Sequence, residues 1–213
     1  MRKRNTEMRR RVAVEAARLI SETGLRDYGQ ARRKAAARCG ARHELEMPRN
    51  TEIEAALREH QSLFQADSQP RVLHDLREAA REAMRFFAAF EPRLVGAVLD
   101  GSADAHSAVC LHLHTDRIND VVAHLHEHAI AFEEIDRKLR YVRDRLETFP
   151  AFRFAADDTA FDITVLPLDR LRQAPFDRID DRPMRRATPG QLEALLDALL
   201  EKSPEKSTGT RPA

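Results

Sequence analysis

The segment from Leu94 to His114 reads LVGAVLDGSADAHSAVCLHLH, and it separates two parts of the chain that follow different patterns. Before it, apolar residues recur at intervals of three and four, which is typical of amphipathic helices. The segment opens with an apolar run that ends at Asp100-Gly101-Ser102, and this predicts a buried strand over residues 94–99 followed by a turn. It closes with alternating residues over 108–114, which predict a second strand.

The second predicted strand carries histidines on one of its two faces. One face holds Val109, Leu111 and Leu113, and the other holds Cys110, His112 and His114. Further along, residues 151–154 and 160–166 flank Asp157-Asp158-Thr159, a pattern that predicts a hairpin. Asp162 then lies on the polar face of the second hairpin strand, because Phe161 and Ile163 point the other way.

The order of these elements predicts the fold class and the domain organisation. The chain has 213 residues, enough for one domain with an extension. Residues 1–92 read as a helical N-terminal region. Residues 93–200 read as strands and helices, with Thr188-Pro189 opening the last helix. Residues 201–213 are predicted to be a disordered tail. We therefore expect an α+β fold, with a mixed sheet behind a helical extension.

Three features of residues 94–166 together resemble the polymerase-β-like nucleotidyltransferase superfamily, in its predicted bacterial form. Gly101-Ser102 follows an apolar run, nine residues separate Ser102 from His112, and Asp162 comes from a later strand. The family places Gly before Gly or Ser after a strand, then two carboxylates one residue apart, then a third carboxylate on a later strand. The resemblance implies a nucleotidyltransferase-like core that transfers a nucleoside monophosphate from a nucleoside triphosphate to an acceptor.

The resemblance also implies roles for individual residues. In the family, divalent metals bridge the carboxylates and the triphosphate and stabilise charge during in-line attack. Gly101 and Ser102 would hold the triphosphate, Asp162 would be a metal ligand, and His112 and His114 would take the other two ligand and catalytic positions. Because imidazole is a softer ligand than carboxylate, the metal stays open among Mg²⁺, Mn²⁺ and Zn²⁺.

The two histidines allow three interpretations, because they stand where the family has carboxylates. They are polar residues of a decayed site, which would make the protein a non-catalytic nucleotide- or partner-binding module on the same fold. Alternatively, they form a two-histidine, one-carboxylate site with Asp162 for a transition metal. In the third interpretation they contact a nucleotide phosphate or act as an acid–base pair.

Charge is concentrated at the amino-terminal end. The net charge of the chain is +1, which by itself demands no polyanionic partner. Residues 1–40, however, carry 12 Lys and Arg against 4 Asp and Glu. A basic end of this kind predicts contact with nucleic acid as a further alternative.

Cysteine usage and hydropathy indicate a compartment. Cys39 and Cys110 follow no CxxC spacing, so we expect free thiols in a reducing environment. Met1 is followed by charged residues instead of an apolar signal region, and no apolar run has the length of a membrane span. The sequence predicts a cytoplasmic protein without a membrane partner.

A second histidine motif occurs at residues 124–128, which read H-x-x-E-H. Inverted zinc peptidases carry this string on a helix. The helical stripe of residues 118–125 explains the same histidines as an ordinary polar face, and we favour that interpretation.

Overall fold

The computed structural model describes residues 2–23, 27–64, 69–142, 145–177 and 182–200. The elements are α1 (Arg2–Thr23), α2 (Tyr28–Cys39), α3 (Asn50–Phe64), α4 (Gln69–Phe86), β1 (Arg93–Val95), α5 (Ala97–Asp100), β2 (Val109–His114), α6 (Ile118–Glu127), β3 (Glu133–Val142), β4 (Arg145–Ala156), β5 (Thr159–Leu166) and α7 (Pro189–Leu200). Helices combined with one mixed sheet confirm the α+β class. The predicted tail, residues 201–213, lies outside the described residues.

The strands form one five-stranded sheet in the order β1-β2-β5-β4-β3. β2 and β5 are parallel, and the other neighbouring pairs are antiparallel. Because β5 follows β2 only after α6 and the β3–β4 hairpin, the two central strands are joined by a crossover. This topology brings residues 109–114 beside residues 161–166.

One face of the sheet is apolar and packs against α4, α6 and α7. The strands contribute Val109, Leu111, Leu113, Phe152, Ile163 and Val165, and the helices contribute Leu76, Ala80, Met84, Phe87, Val121, Leu125, Leu192 and Leu196. Burying each large side chain stabilises the fold by about 1.5–3 kcal/mol. This packing fixes which residues of β2 and β5 remain on the opposite face, which we call the polar face.

The helices α1, α2 and α3 pack around a separate core. That core contains Val12, Ala13, Ala16, Leu19, Ala31, Ala35, Ala36 and Ile53. Asp27 caps α2 by accepting from the amide of Gln30, and Gly40 ends it in the left-handed region with φ of 72°. The predicted boundary at residue 92 marks the change from helices to strands. The side chains of α4, however, pack against the sheet and not in the core of α1, α2 and α3.

The first predicted strand is shorter than the sequence indicates. β1 ends at Val95, and residues 97–100 form α5, so a strand running to Leu99 is wrong. Gly96 has φ of 74° and turns the chain into the helix. An apolar run of this length fits a buried strand or a buried helix equally well, and Val98 is fully buried in the helix. Gly101 consequently ends α5 and does not directly follow a strand.

The later elements agree more closely with the sequence. The hairpin around residues 157–159 is confirmed as β4 and β5. The helix predicted at Thr188-Pro189 is confirmed as α7, and the amide of Gln191 donates to Thr188 Oγ1 at 3.3 Å. Among the helices of the described residues, none combines the length and the hydropathy that crossing a membrane requires.

Candidate functional site on the polar face of the sheet

His112, His114 and Asp162 all lie on the polar face, as the predicted site requires. Their neighbours in the two strands belong to the apolar core, and all three are themselves buried. The register, however, places Cys110 directly opposite Asp162 and places His112 opposite Thr164. Asp162 is therefore beside Cys110, and His112 lies two residues further along β2 on the same face.

Asp162 is held by two arginines. Nη2 of Arg137 donates to both carboxylate oxygens, at 2.6 and 2.5 Å, and Nε of Arg153 donates to Oδ2 at 3.3 Å. Arg153 is the cross-strand partner of Asp162 on β4, whereas the Arg137 side chain crosses β4 from β3. Guanidinium groups thus occupy the carboxylate oxygens that a metal ion would use.

The predicted metal site stays a prediction. Within the described ranges, no group of three or more His, Cys, Asp or Glu side chains is arranged to hold a metal ion. Asp162 would have to exchange its contact with Arg137 for a metal before it could join His112 and His114 as a ligand.

His114 is fixed between a carbonyl and a guanidinium. Its Nδ1 lies 3.0 Å from the carbonyl oxygen of Glu91, and its Nε2 lies 3.4 Å from Nη1 of Arg186. A carbonyl only accepts hydrogen bonds, so we assign the proton to Nδ1 and leave Nε2 as the acceptor for Arg186. Burial lowers the pKa of His114, which agrees with this neutral form.

His112 is neutral and lacks a partner at one ring nitrogen. Burial, and after it the neighbouring His114, Arg186 and Arg137, lower the pKa of His112 to about 3. Its Nδ1 has no hydrogen-bond partner among the residues that the structure describes, although the residue is only 4% exposed. A neutral imidazole at this position can ligate a metal or donate one hydrogen bond, but it carries no charge at neutral pH.

Arginines surround the polar face, and sequence reasoning did not identify them. Arg170 lies over the ring of Tyr141, with Cζ 4.4 Å from the ring centroid, and pairs with Glu147 at 3.1 Å. Arg186 donates to two carbonyl groups of the 168–172 turn, at 3.3 and 3.1 Å. Arg153, between Phe152 and Phe154, was an available signal, whereas Arg137 lies between Asp136 and Lys138 and carries no such pattern.

The Gly101-Ser102 pair uses its backbone amides within the fold. Both amides donate to the carbonyl oxygen of Ala97, at 2.9 and 3.0 Å, and thereby close α5. The predicted contact with a triphosphate therefore depends on the Ser102 hydroxyl and stays a prediction.

The histidines of the H-x-x-E-H string take part in packing. Nε2 of His124 lies 3.1 Å from the carbonyl oxygen of Phe86, and Nδ1 of His128 lies 2.8 Å from the carbonyl oxygen of His124. Both imidazoles also contact the Phe86 ring. These contacts support the interpretation of an ordinary helix surface.

Part of the basic charge of residues 1–40 is balanced within the helical bundle. Arg18 and Arg38 both pair with Glu15, at 3.0 and 2.9 Å, and Arg9 pairs with Glu52 at 3.2 Å. Contact with nucleic acid through this region stays a prediction.

No protein-family model and no curated protein sequence matches this chain.

Proposed function

We propose that the protein binds a nucleoside phosphate on the polar face of the sheet, without a metal ion, as a non-catalytic binding module. The observation that carries the proposal is the pairing of Asp162 with both Arg137 and Arg153. Two guanidinium groups share one carboxylate, so the cluster keeps a positive charge. Guanidinium groups bind phosphate oxygens in a planar, two-point geometry, and these bonds are stronger than those between neutral groups.

A neighbouring cavity supports a nucleoside as the rest of the ligand. It has a volume of about 370 Å³ and is lined by Ala108, Arg153, Phe154, Ala160 and Phe161. The Phe154 and Phe161 rings are stacked, with centroids 5.1 Å apart and planes 15° apart. Both rings belong to the apolar side of the sheet, and Arg153 is the lining residue that joins the cavity to the charged cluster on the polar face. A nucleoside in this cavity would have its phosphates beside Arg153, which contacts Asp162.

Nucleotidyl transfer is a second candidate function. It is favoured by the position of His112, His114 and Asp162 on a single face. Nucleotidyl transfer requires a divalent metal at Asp162, where Arg137 now lies. Arg137 would therefore have to move away from Asp162, whereas nucleotide binding alone requires no such movement.

Calorimetric titration of metal-stripped protein with ATP and GTP, in the presence of EDTA, tests the proposal. We expect saturable binding that Arg137→Gln and Arg153→Gln each weaken by about tenfold, since each removes charged hydrogen bonds to phosphate. Arg85→Gln is the matched control, because Arg85 also pairs with a carboxylate, Glu193, but does so among the helices.

Two outcomes contradict the proposal. If neither nucleotide binds with or without metal, the polar face is not a nucleotide site. If binding requires Mg²⁺, Mn²⁺ or Zn²⁺ and Asp162→Ala abolishes it, the metal-dependent transferase is the better interpretation.

A further inference from the structure

A second cavity is lined by α4, by the loop before β2 and by the turn between β4 and β5. α4 contributes Asp75, the loop contributes His106 and Ser107, and the turn contributes Asp158 and Thr159. Its volume of about 500 Å³ lies within the range of about 300–1,000 Å³ that small-molecule sites have. The cavity is therefore large enough for a small organic ligand, and the proposed function does not use it.

The described charged side chains of this cavity are carboxylates. Asp75 and Asp158 are exposed, come from different elements, and form no ion pair or side-chain hydrogen bond within the described part of the chain. Of the lining residues that the structure describes, none is lysine or arginine, whereas Arg153 lines the cavity proposed for the nucleoside. Two carboxylates without a cation create a negative potential, which attracts a positively charged ligand.

Hydrogen bonds within the fold hold the walls of the cavity in place. The hydroxyl of Ser107 donates to Oδ1 of Asp104 at 3.0 Å and accepts from the Asp104 amide at 2.9 Å, which fixes the loop before β2. Thr159 begins β5 and is paired with Ala156 across the hairpin. A ligand can therefore bind without first ordering these segments, which lowers the cost of binding.

Apolar and acidic groups lie side by side on the α4 wall. Val72 and Leu76 are one helical turn apart, and both line the cavity together with Asp75. Methylene groups of a ligand can pack on the two apolar side chains while a cationic group pairs with the carboxylate. A metal ion fits less well, since no three or more His, Cys, Asp or Glu side chains of the described ranges could hold one.

We propose that this cavity binds a small aliphatic amine, with ammonium groups at Asp75 and Asp158 and methylene groups against Val72 and Leu76. An ammonium group donates up to three hydrogen bonds and carries the positive charge that the described lining lacks. Ala160 lines both this cavity and the nucleoside cavity, so the two sites are neighbours. Amine binding is independent of the proposed function, because no arginine takes part in it.

Putrescine is the probe, titrated into the full chain and followed by the amide resonances of Ser107 and Thr159 in NMR spectra. We expect saturable shifts and an affinity that falls as salt is added. Asp75→Asn and Asp158→Asn should each weaken binding by about threefold, and the double variant by about tenfold, because each substitution removes one exposed ion pair. The diol of the same chain length, which is uncharged, should not bind measurably.

Asp157→Asn is the matched control for the two variants. Asp157 is an exposed aspartate of the same turn and also has a positive φ, but it does not line the cavity. Its substitution should leave the affinity for putrescine within about twofold of the wild-type value, since only a more distant, screened charge is lost.

The amine site is wrong if putrescine does not saturate, if the uncharged diol binds equally well, or if neither Asp75→Asn nor Asp158→Asn weakens binding. Equal losses in Asp157→Asn and Asp158→Asn would show general attraction to the acidic turn and would also overturn it. If putrescine binds with the expected residue dependence but ATP does not bind, the amine site stands and the nucleotide proposal fails.

Discussion

Arg137 and Asp162 lie on strands that are separated by β4, yet Nη2 of Arg137 contacts both oxygens of the carboxylate. The Asp162 side chain is 7% exposed, and its contact with Arg153, at 3.3 Å, is longer than its contacts with Arg137. We expect Arg137→Met to lower the free energy of unfolding by about 1–3 kcal/mol, because a buried charge then loses most of its compensation. Urea denaturation measures this difference.

A double variant identifies the cause of that loss. In the background of Asp162→Asn, Arg137→Met should lower the free energy of unfolding by a clearly smaller amount, because no buried negative charge is left uncompensated. Arg85→Met should change stability by no more than about 0.5 kcal/mol, since the Arg85–Glu193 pair is exposed. Equal losses with aspartate and with asparagine at position 162 would show that Arg137 acts through packing alone.

The two histidines of β2 predict an unusual dependence of stability on pH. Burial lowers the pKa of His112 to about 3 in the folded protein, below the 6.5 of an exposed histidine. Between these values the unfolded chain binds a proton that the folded chain does not, so stability is full above pH 6.5 and falls as the pH decreases. His112 alone should remove roughly 2–3 kcal/mol between pH 6.5 and 4.5, and the lowered pKa of His114 adds to the loss.

Urea denaturation at both pH values, in the wild type and in His112→Phe, measures that contribution. The variant should lose distinctly less stability over the same interval, whatever its absolute stability, because phenylalanine does not titrate. His106→Gln serves as the control for the loss of an imidazole outside the sheet, because His106 is exposed. A slope that is equal in the wild type and in His112→Phe would mean that His112 is solvated in solution.

The sequence predicted the shared face of the candidate residues but not their register. Alternation in β2 and β5 is enough to put His112 and Asp162 on one face, because the apolar partners are unmistakable. The register of two parallel strands depends on the crossover between them, and no local pattern in the sequence specifies it. The structure places Cys110 opposite Asp162 and His112 opposite Thr164.

The arginine contacts could not be predicted from the sequence, for a different reason. Arg137 reaches Asp162 across an intervening strand, so the contact requires the order of three strands to be known. The run from Leu94 to Leu99 illustrates another limit, since burial on all sides removes the periodicity that distinguishes a strand from a helix. The local signal at Thr188-Pro189 was reliable because a helix cap acts within a few residues.

The predicted metal site can be tested by removing the group that competes with it. Arg137→Gln removes the shortest contacts of both Asp162 oxygens and one positive charge, so affinity for Mn²⁺ or Zn²⁺ should rise by about tenfold or more in calorimetry of the metal-stripped protein. Adding Asp162→Ala should abolish the gain. If Arg137→Gln binds metal no more tightly than the wild type, His112, His114 and Asp162 do not act as one ligand set.

The turn between β4 and β5 provides a prediction that is independent of the site. Asp157 and Asp158 have φ of 46° and 62°, the conformation of a two-residue hairpin turn in which glycine is favoured at the second position. A side chain in the left-handed region is strained, so Asp158→Gly should raise the free energy of unfolding by about 0.5–1 kcal/mol, measured by urea denaturation.

The matched control for that turn is Asp169→Gly, an exposed aspartate in the 168–172 turn where φ is not positive. There, glycine adds conformational freedom to the unfolded chain and removes an exposed ion pair with Arg170, so the substitution should destabilise the protein slightly. If Asp158→Gly raises the free energy of unfolding and Asp169→Gly lowers it, the gain at position 158 comes from relief of backbone strain. A loss of stability in both variants would mean that the Asp158 side chain makes a contribution to the hairpin that outweighs the strain.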